Sequence, residues 1–261
     1  MRKDASVSEK AVQARRAQPC RTSDAKRRSP FAIKEAYNSI RTKLIFTGKG
    51  EKCPVFAVSS PMAGDGKTTT AVSLALSIAM ADQRVLLIDG DMRKPSVHRY
   101  FNTECRNGLS EILAGLSSEI KLRATDNGNL SILTAGQVPP NPAELLGSRQ
   151  MDMLLDYVRQ YFDYVIIDTP PVNIVTDATV IAGKITGYVL VVQSGKTHVR
   201  ELSDAIHQIE EMNGSIVGAI LNDPESRGEA HYSSHYNRYY RYGRYKYYGE
   251  SIPEARKKRD D

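Results

Sequence analysis

The chain has no tryptophan, five phenylalanines and three cysteines among its 261 residues. Cys20, Cys53 and Cys105 are odd in number and form no C-x-x-C pair. That pattern offers neither a disulfide framework nor a zinc ribbon, and a reducing cytoplasm is its natural setting. Long apolar runs are missing too. The longest, Ala71–Ala81, is interrupted by Ser73 and Ser77, whereas a membrane-spanning helix needs about twenty residues. The first residues carry no apolar stretch of the signal-peptide kind. The chain is therefore expected not to cross a membrane by itself. No internal repeat is visible.

Charge is unevenly placed. Residues 1–30 hold nine Lys or Arg against three acids, and residues 231–261 hold eight against four. Residues 31–230 hold nineteen against twenty-three. The net +6 thus belongs to the ends, and the middle is mildly acidic. Basic ends of this kind suit an anionic membrane, a nucleic acid or an acidic partner, or are simply solvated. Residues 1–30 show no hydrophobic period and are read as a disordered basic segment, 31–225 as the folded domain, and 226–261 as a flexible tail.

What is present in the middle is alternation. Phe31, Ile33, Ala36, Tyr37, Ile40, Leu44 and Ile45 recur at helical spacing after a Ser29–Pro30 start. Strands are expected at 55–59, 85–89, 130–133, 164–168, 187–193 and 216–221. Helices are expected at 67–81, 108–114, 148–161 and 197–212, with a shorter one near 177–183. Nearly continuous apolar strands separated by helices imply an α/β fold, a mostly parallel sheet covered on both faces.

After the first of these strands comes SSPMAGDGKTTT, residues 59–70. A glycine turn between strand and helix aims backbone N–H groups at phosphate oxygens. Ala63, Gly64, Asp65, Gly66, Lys67, Thr68 and Thr69 form this candidate nucleotide loop. Lys67 can reach the outer phosphates of ATP, and the Thr68 hydroxyl can ligate Mg²⁺. The strict pattern places glycine where this chain has Pro61. VLLIDGDMRKP, residues 85–95, puts Asp89 and Asp91 two apart at a strand's carboxyl end, and YVIIDTPP, residues 164–171, does the same for Asp168. Carboxylates gathered there call for a cation, because like charges raise one another's pKa; Mg²⁺ shared with phosphates answers that need. Asn222 closes the last strand, where it either touches a base or begins an Asn-Asp-Pro turn.

These segments resemble the Walker A, A′ and B motifs of the bacterial tyrosine kinases of capsular and exopolysaccharide synthesis, and DGDMRKP followed by His98 is specific to that group. The resemblance spans about residues 31–248. It implies a deviant-Walker P-loop NTPase fold in which Lys67 and Thr68 bind ATP and Mg²⁺, Asp91 and Asp168 hold the metal, and Asp89 accepts the proton of an incoming tyrosine. Arg93 and Lys94 would steady phosphates or the acceptor. It also implies a ring-shaped homo-oligomer, and a membrane adaptor of the polysaccharide co-polymerase type that keeps the chain at the inner face of the membrane. The family's oligomer helix reads E-x-x-R-x-x-R, but this chain has Glu35, Asn38 and Arg41, and an asparagine cannot replace a bidentate arginine. The related ATPase switches of partition and division-site placement carry a signature lysine where this chain has Met62. That counts against the alternative reading, an ATPase switch with the tail as a binding element.

One segment remains. Tyr232, Tyr236, Tyr239, Tyr240, Tyr242, Tyr245, Tyr247 and Tyr248 are eight of the fourteen tyrosines, and they are interleaved with Arg238, Arg241, Arg244 and Lys246. With no aliphatic residue in 231–249, this stretch has no core of its own. Tyrosines among arginines can stack on nucleic-acid bases. The loop upstream supplies instead a chemistry for which phenols are substrates, so they are expected to be phosphoacceptors and no nucleic acid is expected. A phenol with a pKa of about 10 is a weak nucleophile, and phosphoryl transfer needs positioning and charge stabilisation rather than covalent help.

Overall fold

The computed structural model describes residues 30–117 and 119–223. The disordered segment expected over 1–30 lies outside the described residues except for Pro30, and so do the tyrosines Tyr232–Tyr248 that are expected to be phosphoacceptors. In chain order the elements are α1 (Pro30–Thr47), β1 (Val55–Ser59), α2 (Lys67–Ala79), β2 (Val85–Asp89), α3 (Val97–Tyr100), α4 (Leu109–Leu113), β3 (Arg123–Ala124), β4 (Leu130–Leu133), α5 (Pro142–Gly147), α6 (Arg149–Val158), β5 (Tyr164–Asp168), β6 (Gly187–Gln193), α7 (Val199–Glu211) and β7 (Ile216–Asn222).

The sheet runs β3-β4-β2-β5-β1-β6-β7. Every pairing is parallel except β3 with β4. The alternation in the central strands explains the layers. Val55, Ala57, Leu86, Ile88, Val165 and Ile167 join one apolar cluster with residues of α4, α6 and α7. Phe56, Val58, Val85, Leu87 and Ile166 join a second with α2 and Leu44 of α1. Successive side chains of a strand point to opposite faces, and both faces here are covered, which is why the strands read as unbroken apolar runs. Ala71, Ala75 and Ala79 let α2 lie close on the sheet, with Leu74 and Ile78 fully buried. Cutting Leu74 back to alanine would cost about 3 kcal/mol.

The expected strands are all present, β7 reaching one residue further than expected, and the longer helices differ by one to three residues at their ends. The helix expected near 177–183 is instead two 3₁₀ turns, Thr176–Ala178 and Ala182–Lys184. Between them stand Thr179, Val180 and Ile181, whose branched Cβ atoms crowd a continuous α-helix. Helices α3 and α5 and strand β3 are too short for a period to be read. The fold places β1 where the sheet order reverses, with β2 and β4 to one side and β6 and β7 to the other. In open α/β sheets the ligand crevice lies at the carboxyl ends of strands at such a point.

Candidate active site

The loop from β1 to α2 sits in that crevice. Gly64 and Gly66 hold φ angles of 85° and 94°, a left-handed region suited to glycine. At Gly66 space is also short, since a Cβ there would lie 2.2 Å from Asn222 Nδ2. Gly66 caps α2 without a side-chain hydrogen bond, so the first N–H groups of the helix have no side-chain cap. That is the electrostatic setting for an anion. The loop is braced from within: Met62 N donates to Asp65 Oδ2 at 3.1 Å and Ser60 Oγ to the Met62 carbonyl at 2.7 Å.

Register brings the acids together. Asp89 and Asp168 are aligned partners at the carboxyl ends of β2 and β5. Gly90 follows directly, its N–H donating to the Asp168 carbonyl at 2.8 Å. A Cβ at Gly90 would meet that carbonyl oxygen at 2.9 Å, so the close approach requires glycine between Asp89 and Asp91. Lys67 Nζ bridges the group, 2.9 Å from Asp91 Oδ2 and 3.5 Å from Asp168 Oδ1. Thr68 Oγ1 donates to Asp168 Oδ2 at 2.6 Å and accepts from Ser96 Oγ at 3.1 Å. Asp89 Oδ2 accepts the N–H groups of Ser96 and Val97, both at 3.0 Å, while its Oδ1 is buried without a hydrogen-bond partner.

The electrostatics follow from burial. Desolvation, then the nearby Asp168, push Asp89 up to about 7, against the two N–H donors. Desolvation likewise lifts Asp168 to about 6, with Lys67 pulling the other way. Burial draws Lys67 down, but Asp168 and Asp91 outweigh it and hold its ammonium above the ordinary lysine value. Among the described residues, no group of three or more His, Cys, Asp or Glu side chains is arranged to hold a metal. A cation here would need phosphate and hydroxyl oxygens as well, the mixed coordination that Mg²⁺ takes.

Other expected site residues are placed as follows. Asn222 lies at the loop, its Nδ2 donating to the Asp65 carbonyl at 3.0 Å. Thr69 Oγ1 is 2.7 Å from the Tyr100 hydroxyl. Arg93 grips the buried Asp177 at two points, 2.8 and 2.9 Å, and so ties the segment after Asp91 to the one after β5. On α1, Asn38 Nδ2 donates to Glu35 Oε1 at 2.9 Å, and Arg41 donates to the Ser77 carbonyl at 2.8 Å, near the end of α2. Both residues expected at an oligomer interface are thus engaged within the chain. Lys196 was not anticipated. The turn after β6, with Gly195 at φ 70°, delivers its Nζ to the Ala63 carbonyl at 3.0 Å and to within 3.8 Å of buried Asp65. Its signal was Q-S-G-K directly after an apolar strand. Asp177 had no signal, because its partner is 84 residues away in the chain.

Comparison with known proteins agrees with this geometry. Residues 54–219 match the AAA domain family. The tyrosine-protein kinase YwqD of Bacillus subtilis (strain 168) is 39% identical over 189 residues, 72% of this chain and 80% of that protein. The tyrosine-protein kinase CpsD of Streptococcus agalactiae is 37% identical over 201 residues, 76% of this chain and 87% of that protein. Among solved structures, the kinase domain of Escherichia coli tyrosine kinase ETK superposes with a TM-score of 0.72 at 35% identity, covering 76% of this chain and 78% of that one. The fold is that of a P-loop NTPase.

Proposed function

The chain belongs to the bacterial tyrosine-protein kinases, and on that premise we propose that it transfers the γ-phosphoryl group of ATP to tyrosine hydroxyls. Its own cluster Tyr232–Tyr248 supplies the acceptors, each offered to a second copy. The observation that carries this reading is the convergence of Lys67, Thr68, Asp91 and Asp168 at an uncapped helix start beside Asp89, whose second carboxylate oxygen has no partner.

In this reading Ala63–Thr69 cradle the phosphates through backbone N–H groups, and Lys67 leaves its carboxylates for the outer phosphate oxygens. Mg²⁺, when bound through Thr68, Asp91 and Asp168, neutralises charge developing on the phosphates. The residues fit that ion in donor type, because Thr68, Asp91 and Asp168 offer oxygens, held in this structure mainly by Lys67 and by one another. Asp89 Oδ2 is held by two N–H groups, which orients the carboxylate and leaves Oδ1 to accept the phenolic proton. Lys196 and Asn222 pin the loop from the β6–β7 side, and Asn222 is assigned to nucleotide binding. The tail's basic residues would draw it to the mildly acidic body of a neighbouring copy, and each added phosphate, about −1.5 to −2 at pH 7, would weaken that attraction.

The wider role follows from the family: regulation of capsular or exopolysaccharide synthesis and export. No described helix is long and apolar enough to cross a membrane, and a membrane adaptor protein would hold the chain at the inner face, where it assembles with other copies. The test is incubation with ATP and Mg²⁺, with and without the adaptor's cytoplasmic peptide, read by intact and tandem mass spectrometry. Successive single-phosphate steps mapping to Tyr232–Tyr248, reduced at least ~10²-fold in Lys67→Met, are expected. Steady ADP release with no phosphate on the chain would replace this reading with an ATPase switch.

A further inference from the structure

Arginine directly precedes a tyrosine at four places: Arg238–Tyr239, Arg241–Tyr242 and Arg244–Tyr245 in the cluster, and Arg99–Tyr100 in α3. The first three belong to the proposed acceptor segment. The fourth lies on the folded body, beside the nucleotide loop. Tyr100 is 48% exposed, and its hydroxyl is 2.7 Å from Thr69 Oγ1, within the first turn of α2. Tyr157 and Tyr161 are comparably exposed, but they pair with each other on and just beyond α6, and Tyr157 follows Asp156. Tyr188 is fully buried, with its hydroxyl bonded to the Ala178 carbonyl at 2.7 Å.

We propose that Tyr100 is a phosphorylation site that turns nucleotide binding down. The inference rests on the kinase reading above. A second copy of the chain is the donor: a bond forms between Tyr100 Oη and the γ-phosphorus as the bond from that phosphorus to the β–γ bridging oxygen breaks. ADP leaves, and the phenolic proton passes to the donor copy's Asp89. The product carries a dianion within reach of Thr69, at the uncapped start of α2. That helix end is the binding place for the nucleotide's own phosphates, so the new phosphate both occupies its N–H donors and repels the ligand. A chain modified at Tyr100 would keep its fold and lose its hold on ATP.

The experiment uses the full chain with the eight tail tyrosines changed to phenylalanine, phosphorylated by wild type. Tandem mass spectrometry locates the phosphate, and calorimetry with Mg²⁺–ADP is run before and after treatment with a tyrosine phosphatase. Phosphate on Tyr100, an affinity loss of ~tenfold or more, recovery after phosphatase, and no loss in a matched Tyr100→Phe chain are expected. A phosphorylated wild-type tail with bare Tyr100 overturns the proposal and leaves the kinase reading intact. So does a phosphorylated Tyr100 with unchanged ADP affinity. Phosphate on neither, with and without the adaptor's cytoplasmic peptide, overturns both.

Discussion

The two ends of the sheet treat charge in opposite ways. At the amino ends of β2 and β5, Arg84 and Asp163 make a two-point pair, Nη2 to Oδ1 at 2.7 Å and Nε to Oδ2 at 3.2 Å, and the backbone N–H of Arg84 adds a third bond at 2.8 Å. Nearby, Lys184 pairs with Asp152 and Arg159 with Asp156. These charges are partly open to water and satisfied. At the carboxyl ends of the same strands, Asp89 and Asp168 are fully buried, side by side, and one Asp89 oxygen has no partner. A lysine stands among the acids where phosphates and a cation would otherwise mediate. The same strands thus carry an end arranged for stability and an end left electrostatically unfinished. Perturbed groups concentrate where a ligand completes them.

The largest way to break that contrast is Asp89→Asn. The amide keeps the shape, removes the base and relieves the buried charge. Transfer to tyrosine should fall by ~10²–10⁴-fold, while stability in urea without nucleotide rises by ~1 kcal/mol. Mg²⁺–ADP should still bind. A variant that loses stability would show that the Asp89 carboxylate is a structural necessity and not a reserve held for the reaction.

A second comparison uses the same chemistry at both ends. Arg93 and Arg84 each make a two-point pair with an aspartate, but Asp177 is fully buried and Asp163 is partly exposed. Arg93→Ala strands a desolvated carboxylate and should cost ~2 kcal/mol. Arg84→Ala should cost clearly less, as partly exposed pairs do. Urea titrations of both variants decide it, and equal losses would mean that burial is not what separates the two ends.

Much of this was legible in the residues themselves. Five apolar runs end where their strands end, and β7 runs only to the Asn222 that was expected to close it; three of the runs end in or beside the aspartates and the loop of the site. Those signals are local, set by short apolar runs and by glycine next to lysine. What could not be read depends on partners far along the chain. Nothing near Asp177 announces Arg93. Arg41, expected at an oligomer interface, also meets the Ser77 carbonyl within the chain, a contact that exists only once α1 lies on α2. Asn38 stands where the family has arginine; its contact with Glu35 is at helical spacing, but its contact with Ser77 is one that no spacing predicts. Lys196 is intermediate: the glycine turn before it was visible, but not the loop it would reach. Short elements such as α3, which carries Tyr100, give no period at all.

The smallest effect is in pH, and there the two ends should pull in opposite directions. Arg84 holds Asp163 below the usual carboxylate range, chiefly through its side-chain hydrogen bond. A carboxyl group depressed on folding contributes stability above its unfolded value of about 3.9, and loses it as pH falls through the lower folded value. Burial pushes Asp89 up to about 7 and Asp168 to about 6. For these the folded chain binds protons more tightly, so their contribution is complete below about pH 4 and is lost as pH rises through 6 to 7. The measurement is urea stability from pH 3 to 8, with a chelator and no nucleotide, each variant subtracted from wild type so that common titrations cancel. The Arg84→Ala difference should be full above about pH 4 and shrink as pH falls below it; the Asp89→Asn difference should grow between pH 4 and 7. Neither slope can exceed about 1.4 kcal/mol per pH unit, the limit for one proton. A flat Asp89→Asn difference across pH 4 to 7 would mean that this carboxyl group titrates in the fold as it does in water, and the contrast between the two ends of the sheet would lose its main support.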